Sequence, residues 1–357
     1  MPNKLIKKVL LIRQDGLGDT LLMTPLMAAL KQNIEGLELS VLASPIGAQA
    51  LKGNPAVDNL LVVDGKKLSP FGYLKLAFKL RRKKYDVAIS ISEKFCSSLL
   101  TWLSGSRIRI GFFPGTTQPL KSILLPMIFT HRIQSPNDPS RYSDLHEVER
   151  YMELLHPVGI KLNGGELKIY LPEEKLAWAK NYILSAGGGS ELIALHLSQK
   201  WATEGWPKEF LAEMIEYLLR KMPYAGLVVT YGELEAEWVK PVLAMLPKDR
   251  VHIYFSRDFC NWAALLSQCK VLITMDTGAA HVATALHIPM VDVFPSEHFE
   301  HCSSRWYPWH VPHRVVKRES LASSSDDESR KIKRSFLENI LGSTEELMAG
   351  SSEKVET

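Results

Sequence analysis

The side chains best suited to chemistry lie in one short loop near the C-terminal end of the chain. A mostly apolar run, 271–275, leads into Asp276. A helix follows that carries His281 in its first turn and opens on small residues: Thr277, Gly278, Ala279 and Ala280. Small side chains leave the N–H groups of a helix N-terminus open to an anion, and we expect this anion to be a diphosphate. We interpret Asp276 as an acceptor for sugar hydroxyls, and His281 alone is more typical of a structural residue than of a catalyst.

A second loop, RQDGLGDT at 13–20, follows the first predicted strand. It contains Gly16 and Gly18 in a GxG pattern, but Leu21 stands where the dinucleotide-binding fingerprint has its third glycine. The two glycines either permit a tight turn, with Asp19 as a helix N-terminal carboxylate, or place Asp19 at a site-forming strand end. In the second case Asp19 can accept a proton from an incoming hydroxyl group. The loop alone favours neither interpretation.

A third loop, HLSQKWATEGWP at 196–207, again joins a predicted strand to a helix. Four of its polar residues stand where a phosphate-bearing ligand would lie, namely Ser198, Gln199, Lys200 and Thr203. The alternative is that Trp201 and Trp206 are packing residues and that Lys200 is a solvated charge. The loop taken alone favours this alternative.

A basic amphipathic segment, LKLAFKLRRKK at 74–84, is typical of a helix with one charged face. The face is either simply solvated or attracted to anionic lipid headgroups or to a phosphorylated acceptor.

The elements that must position these loops alternate between apolar strands and helices, which is typical of a parallel sheet covered on both faces. One helix is predicted over 19–31, and 114–144 is the least regular segment. Predicted strands fall into two series, at 9–12, 39–43, 60–63, 87–91 and 107–111, and at 192–197, 227–231, 251–254, 271–275 and 290–294. We therefore predict two doubly wound α/β domains, at 1–170 and 171–320. A C-terminal segment, 321–357, is predicted to hold a helix over 331–348 and a disordered tail.

The overall composition narrows the class of protein. The formal charge of +4 is too small to indicate nucleic-acid binding, and no run of 18 apolar residues or signal-peptide layout is present. The four cysteines have no CxxC spacing, which indicates reduced thiols in the cytoplasm. No Asp-x-Asp or metal-ligand spacing occurs, so we expect no metal.

Several segments together resemble glycosyltransferase family 9, the heptosyltransferases of lipopolysaccharide core assembly. KKVLLIRQDGLGDTLLMTPLMAALK at 7–31 is similar to the family's N-terminal signature, and MDTGAAHVATALHIPMV at 275–291 is similar to its DSGxxHxAxAxxxPxV signature. LRRKKYDVAISI at 80–91 and FPSEHFEHCSSRWYP at 294–308 support the likeness.

The resemblance implies a GT-B fold, with two Rossmann-like domains facing across a cleft. It also implies an inverting, metal-independent transfer of a heptose from ADP-heptose to a lipid-linked inner-core acceptor of lipopolysaccharide. The reaction would need no cofactor beyond the nucleotide sugar, and the enzyme would be cytoplasmic, with peripheral contact to the inner membrane.

The resemblance also implies roles for particular residues. The acceptor binds the N-terminal domain, where Asp19 falls on the proposed general base and Gly18, Arg81 and Arg82 are acceptor candidates. The donor binds the C-terminal domain, where the implied contacts are Ser198, Lys200, Glu235, Asp276, Thr277, Gly278, Ala279 and His281. Glu235 is assigned to the donor ribose, with Glu237 as the alternative.

One departure from the family pattern concerns the third loop. Family members commonly have a lysine before the Trp-Pro pair that helps to neutralise the donor phosphate, and Glu204 stands at that position here. Lys200, four residues earlier, offers a substitute. The alternatives are a different nucleotide sugar, a binding or assembly protein with reduced catalysis, or a nucleotide-sugar epimerase.

Overall fold

A computed structural model of the chain describes residues 6–65, 67–113, 125–134, 145–161, 165–185 and 191–352. The chain divides into two compact units, Met1–Tyr170 and Leu171–Thr357. Most of the irregular segment at 114–144 and the tail after residue 352 lie outside the described residues.

The first unit is built on a six-stranded parallel sheet in the order β3-β2-β1-β4-β5-β6. Its strands are β1 Lys8–Arg13, β2 Glu38–Ala43, β3 Asn59–Val62, β4 Val87–Ser90, β5 Ile108–Phe113 and β6 His131–Gln134. Its helices are α1 Leu17–Leu22, α2 Thr24–Asn33, α3 Pro45–Leu51, α4 Pro70–Lys83, α5 Phe95–Leu103 and α6 Glu147–Glu153. The strand order reverses between β1 and β4, and such switch points are where open α/β sheets bind ligands.

The second unit repeats this architecture, with strand order β12-β11-β10-β7-β8-β9, all parallel. Its strands are β7 Leu192–Leu197, β8 Gly226–Tyr231, β9 Val251–Phe255, β10 Val271–Met275, β11 Met290–Pro295 and β12 His313–Arg318. Its helices are α7 Glu173–Ser185, α8 Phe210–Lys221, α9 Ala236–Met245, α10 Phe259–Leu266, α11 Gly278–Ala285, α12 Phe299–Trp306 and α13 Asp326–Ser352. Here the order reverses between β7 and β10, so the loops at 196–207 and 276–281 leave neighbouring strands.

The helix predicted over 19–31 is wrong as one continuous element, because the structure divides it into α1 and α2 at Met23. Pro25 is the second residue of α2, and a proline ring clashes with the carbonyl four residues before it, here that of Leu21. That carbonyl instead accepts a hydrogen bond from Thr24 Oγ1 at 2.7 Å.

Two strands are absent from the prediction, and both lie at sheet edges. β6 falls inside the segment predicted to be irregular, and β12 follows the last predicted strand. Their sequences, HRIQ and HRVVKR, carry charged residues at exposed positions rather than the apolar run of a central strand. Edge strands tolerate such residues because one side of the strand is unpaired.

Helix α13 belongs to the core of the second unit rather than to a separate segment. Phe336, Ile340, Leu347 and Met348 are buried in one apolar cluster with residues of β7, β8, β10 and β11. The sequence predicts this helix over 331–348, but it begins five residues earlier, at Asp326.

Candidate functional site

The switch point of the second unit brings Lys200 and Asp276 together. Lys200 lies in a short 3₁₀ turn, Gln199–Ala202, directly after β7, and Asp276 directly follows β10. Lys200 Nζ donates to the Asp276 backbone carbonyl and lies 3.1 Å from Asp276 Oδ2. Two of the residues predicted to bind a donor therefore form an ion pair at the expected sheet edge.

The N-terminus of α11 lies beside this pair, but two of its N–H groups already have partners. Thr277 is the N-cap, and its Oγ1 accepts a hydrogen bond of 3.3 Å from the Ala279 N–H. The Ala280 N–H donates to the Thr277 carbonyl at 3.1 Å. An incoming anion must therefore compete with Thr277 for the Ala279 N–H.

The remaining residues of this loop that are predicted to bind the donor differ in how far their side chains are buried. The side chains of Ala279 and His281 are buried, whereas Thr277 and Gly278 are half-buried at the loop surface. Thr277 and Gly278 are therefore the residues of this loop best placed to meet a ligand.

Arg318, the last residue of β12, fixes the backbone of the loop that carries Lys200. Its side chain is fully buried. It donates to the carbonyls of Lys200 and Trp201 at 3.0 and 2.6 Å and to Thr203 Oγ1 at 2.7 Å. Burial lowers the pKa of Arg318 to about 10 against the opposing effect of Glu204, so the guanidinium stays charged at neutral pH.

Glu204 is turned inward, and it is paired with Arg318 at 3.7 Å. Its carboxylate also accepts hydrogen bonds from Ser296 Oγ at 2.6 Å and from the Glu297 N–H at 2.9 Å. Its backbone has a φ of 56°, a left-handed conformation that is uncommon outside glycine. The residue that replaces the family's lysine therefore ties the loop after β7 to the loop after β11.

The structure separates Glu235 from Glu237. Glu235 is half-buried at the N-terminus of α9, and burial raises the pKa of its carboxyl. Glu237 is exposed and pairs with Lys240 at 2.6 Å. Gln199 Nε2 donates to the Leu234 carbonyl at 3.2 Å, which joins the loop of Lys200 to the loop of Glu235.

Two polar residues, His196 and Ser198, lie at the end of β7 and directly after it, at the same sheet edge. Ser198 is buried, and its Oγ has no hydrogen-bond partner among the described residues. His196 Nδ1 lies 2.9 Å from Thr230 Oγ1, and burial lowers the pKa of His196 to about 4. His196 is therefore neutral at physiological pH.

Asp292, in the middle of β11, is an unpredicted buried carboxyl group. Its side chain is fully buried, and neither oxygen has a hydrogen-bond partner among the described residues. Burial, reinforced by the negative charge of Asp276, holds the pKa of Asp292 well above its usual range. The surrounding sequence, MVDVF, is typical of a buried strand. The charged residue inside this apolar run is the sequence feature that indicates an unusual buried carboxyl group.

In the first unit, Asp19 lies in a network of charges at the end of β1. Asp19 Oδ1 accepts from Arg13 Nη2 at 2.6 Å, and Oδ2 accepts from the Gly16 N–H at 3.2 Å. Arg13 Nε lies 3.1 Å from Asp15, which also pairs with Lys94 Nζ at 2.5 Å. Asp19 keeps about a third of its side chain exposed, at 37%, whereas Arg13 is buried.

These neighbours set the protonation of the network. Burial alone would raise the pKa of Asp15, but Arg13 and Lys94 lower it. Burial alone would lower the pKa of Arg13, but the surrounding acidic groups raise it. Arg13 also lies over the ring of buried Tyr151, at 5.2 Å from its centroid. The network therefore holds Asp15 as a charged carboxylate beside a buried guanidinium.

A cavity of about 560 Å³ opens beside this network. Its polar lining includes Asp15, Ser44, Asp64, Tyr73, Lys94 and Cys96. Gly18 is buried within α1, and Arg81 and Arg82 lie in the last turn of α4, where Arg81 Nε donates to the Leu103 carbonyl at 3.1 Å. The structure thus places these three acceptor candidates apart from the cavity lining.

Five of these residues are not identified in the sequence analysis: Arg13, Asp15, Lys94, Arg318 and Asp292. Arg13 and Asp15 flank the GxG turn, so their position at the end of β1 was a usable signal. Arg318 had none, since its partners lie more than 110 residues earlier in the chain.

The described residues contain neither a metal-binding cluster nor a helix that could cross a membrane. No three His, Cys, Asp or Glu side chains in this part of the chain cluster as a metal site would. Among the helices that the structure describes, none combines the length and apolar composition that a membrane crossing requires.

Comparison with known proteins places this architecture in a family. Lipopolysaccharide heptosyltransferase 3 of Escherichia coli is 22% identical to the chain over 305 residues, which cover 82% of this chain and 83% of that protein. The crystal structure of a family 9 glycosyl transferase from Veillonella parvula superposes with a TM-score of 0.79 at 21% identity, covering 96% of this chain and 98% of that one. E. coli heptosyltransferase WaaC, solved with ADP, gives a TM-score of 0.67 at 18% identity, covering 92% and 99%.

The structural likenesses confirm the GT-B fold that the sequence predicts. The family model for glycosyltransferase family 9 (heptosyltransferase) matches residues 73–333, which is most of the chain. The chain is therefore a glycosyltransferase that belongs to family 9, the heptosyltransferase family.

Proposed function

We propose that this enzyme transfers a heptose from ADP-heptose to an inner-core acceptor of lipopolysaccharide, with inversion at the anomeric carbon and without a metal. The observation that carries the proposal is the Lys200–Asp276 ion pair at the β7/β10 switch point, beside the N-terminus of α11. A cation and a half-buried helix terminus suit a diphosphate, and the adjacent carboxylate suits sugar hydroxyls. The heptosyltransferase relative and the ADP-bound WaaC structure support ADP-heptose as the donor.

Donor binding requires a change of partner for Lys200. In the structure its ammonium group is held by Asp276. A diphosphate carries more negative charge than one carboxylate, so Lys200 turns to the diphosphate while Asp276 becomes available to the sugar. Thr277 and Gly278 complete the diphosphate contact, with Ser198, Ala279 and His281 forming the wall behind it. Glu235, half-buried on the neighbouring loop, binds the ribose hydroxyls.

The chemical step is a single displacement. Asp19 accepts the proton from the acceptor hydroxyl while that oxygen attacks the anomeric carbon. The new bond forms on the face opposite the diphosphate, and the bond from the anomeric carbon to the diphosphate oxygen breaks with its electron pair. Lys200 and the α11 N-terminus stabilise the charge that develops on the departing ADP. Inversion follows because only one displacement takes place.

Arg13 orients the base. Its bond to Asp19 Oδ1 fixes that carboxylate oxygen, and the 3.2 Å bond from the Gly16 N–H holds the second oxygen. The neighbouring cavity, lined by Ser44, Asp64, Tyr73 and Lys94, suits the hydroxyl groups of a sugar acceptor. We place the reaction in the cytoplasm, with a lipid-linked acceptor and no cofactor beyond the nucleotide sugar.

A second candidate function is transfer from another nucleotide sugar. Glu204 favours it, because it stands where heptosyltransferases commonly have a lysine. It gives less support to a non-catalytic assembly protein, because Glu204 is held by Arg318 and Lys200 provides a cation from the same loop.

A transfer assay tests the proposal. Core oligosaccharide from cells lacking this protein serves as acceptor, and ADP-heptose, ADP-glucose and UDP-N-acetylglucosamine serve as donors. Mass spectrometry should find one added heptose with ADP-heptose alone, and NMR of the product should show the inverted anomeric configuration. Transfer from a different donor would establish the second candidate. Binding of ADP-heptose in a calorimeter without any turnover would instead support the assembly protein.

A further inference from the structure

Helix α4 exposes an unusual amount of apolar surface. Phe71, Leu74 and Phe78 have 76%, 56% and 69% of their surface exposed. Their spacing of three, four and seven residues places them on one face of the helix, because a residue advances about 100° around an α-helix. They form a continuous apolar strip, which we call the α4 strip.

Cations flank the α4 strip. Lys75, Lys79 and Arg82 are exposed on the same helix and project to one side of the strip at the same helical spacing. Arg81 projects to the other side. An apolar strip between cations on a helix is the pattern of a helix that lies in the interface of an anionic membrane.

The opposite face of α4 is firmly attached to the first unit. Leu80 is fully buried in an apolar cluster with Leu10 and Ile12 of β1, and Tyr73 and Leu76 pack against the same cluster. Ser69 caps the helix by accepting a hydrogen bond of 3.1 Å from the Gly72 N–H. The helix therefore does not depend on a lipid surface to form, and its outward face is preorganised.

We infer that the α4 strip and its flanking cations dock this enzyme onto an anionic lipid bilayer. Charge complementarity selects the occupant, since the cations match lipid phosphates while the two phenylalanines and the leucine enter the region between headgroups and acyl chains. Each cation adds to the attraction, whereas a purely apolar partner surface would leave the cations unpaired and partly desolvated.

The same helix reaches the acceptor cavity. Tyr73 of α4 lines that cavity together with Asp15 and Lys94. Docking through α4 would therefore hold the cavity close to the membrane surface, where a lipid-linked acceptor is found. This last step rests on the proposed function, but the docking itself does not.

Vesicle co-sedimentation of the full chain tests the inference. The vesicles contain equal parts phosphatidylcholine and phosphatidylglycerol, with pure phosphatidylcholine as the neutral comparison. The apolar variant carries Phe71→Ser, Leu74→Ser and Phe78→Ser, and the charge variant carries Lys75→Glu, Lys79→Glu and Arg82→Glu. We expect each to lower the partition onto anionic vesicles by at least about tenfold. Raising the salt from about 0.1 M to about 1 M should weaken the wild type similarly, because the Debye length falls from about 10 to about 3 Å.

Matched controls come from exposed residues of the second unit. Tyr224→Ser with Leu234→Ser removes exposed apolar surface, and Lys180→Glu, Lys248→Glu and Lys331→Glu reverses three exposed cations. Both controls should bind vesicles like the wild type. ADP affinity and thermal unfolding, measured on every variant, show that each is folded, and they report on the donor site independently of docking.

Three results would overturn the inference. The first is a wild type with no preference for the anionic vesicles, and the second is binding of both α4 variants equal to that of the wild type. The third is a dimer of the wild type in sedimentation that the apolar variant dissociates, which would make the strip an interface between copies of the chain. A failure of the transfer assay with intact vesicle binding would remove the proposed function and leave the docking surface standing.

Discussion

The Glu204 carboxylate lies 3.7 Å from the fully buried guanidinium of Arg318, at the point where the family pattern has a lysine. The pair joins the loop after β7 to the end of β12, and Arg318 in turn holds the backbone carbonyl of Lys200. Glu204 thus takes the place of the family's lysine and forms a buried ion pair with Arg318. This pair fixes the loop that presents Lys200.

Restoring lysine at position 204 should therefore damage the protein. Glu204→Lys places a cation against buried Arg318 and should lower the free energy of unfolding by at least about 3 kcal/mol. Glu204→Gln keeps an acceptor for Ser296 and Glu297 and should cost less, about 1–3 kcal/mol. Urea unfolding followed by circular dichroism measures both. A Glu204→Lys protein with wild-type stability and tighter ADP binding would mean that this position still belongs to the donor site.

The turn that follows Glu204 depends on Gly205. Its φ is 81°, and a Cβ there would lie 2.7 Å from the backbone nitrogen of Ala322. Gly205→Ala should therefore lower the thermal unfolding midpoint by several degrees and weaken ADP binding, since the loop of Lys200 must shift. Gly342→Ala, in α13 with open space around it, is the matched control and should stabilise by up to about 1 kcal/mol. Equal behaviour of the two variants would show that the turn is not strained.

The raised pKa of Asp292 predicts that the stability of the protein depends on pH. Its pKa in the folded protein is raised above the ordinary value of 3.8, chiefly by burial. As the pH rises above that value, the unfolded chain releases this proton while the folded protein retains it, so the group opposes folding increasingly until its folded pKa is passed. Asp292→Asn removes the effect and should be more stable than the wild type at pH 7, with the advantage disappearing near pH 4. Urea unfolding at both pH values measures the difference, and an Asp292→Asn protein that is less stable at pH 7 would indicate an ionised, functional carboxylate.

The sequence was informative where structure is local and uninformative where it is not. The apolar run at 271–275 became β10 with the same bounds, because a buried central strand needs uninterrupted apolar residues. The sequence does not indicate the break at Met23, because the surrounding helical pattern is strong and Pro25 acts through a single carbonyl. It does not indicate β12, because this edge strand carries charged residues.

Long-range contacts decide the remainder of the candidate site. Lys200 and Asp276 could be placed at one sheet edge from the strand pattern, but the ion pair between them could not. The partnership of Glu204 with Arg318 joins residues with no local relationship, so the sequence offered only the anomaly at 204. The assignment of roles to Asp19, Lys200, Glu235 and the 276–281 loop stays a prediction.

The exchange of partners by Lys200 gives two opposite expectations. Lys200→Ala should weaken ADP binding by about 10–100-fold, because a charge-assisted contact to phosphate is lost. Asp276→Asn should leave ADP binding unchanged or tighten it, because a negative charge is removed and Lys200 is released, while heptose transfer falls.

Isothermal titration with ADP and a transfer assay separate the two effects. Lys248→Ala, an exposed lysine of the same unit, is the control and should change neither quantity. Weakening of ADP binding by both site variants would contradict the exchange and indicate that the ion pair is structural.

Asp19→Asn tests whether Asp19 accepts the proton of the acceptor hydroxyl, because turnover and donor binding can be measured separately on this variant. The amide oxygen can still accept from Arg13, whereas the amide NH2 group cannot accept from the Gly16 N–H, so the change removes the base and one 3.2 Å hydrogen bond. The kcat should fall by about 10²–10⁴-fold with ADP affinity unchanged, and the surface control Asp249→Asn should keep an unaltered kcat. Near-normal turnover in Asp19→Asn, with the protein folded and ADP bound, would show that Asp19 is not the general base.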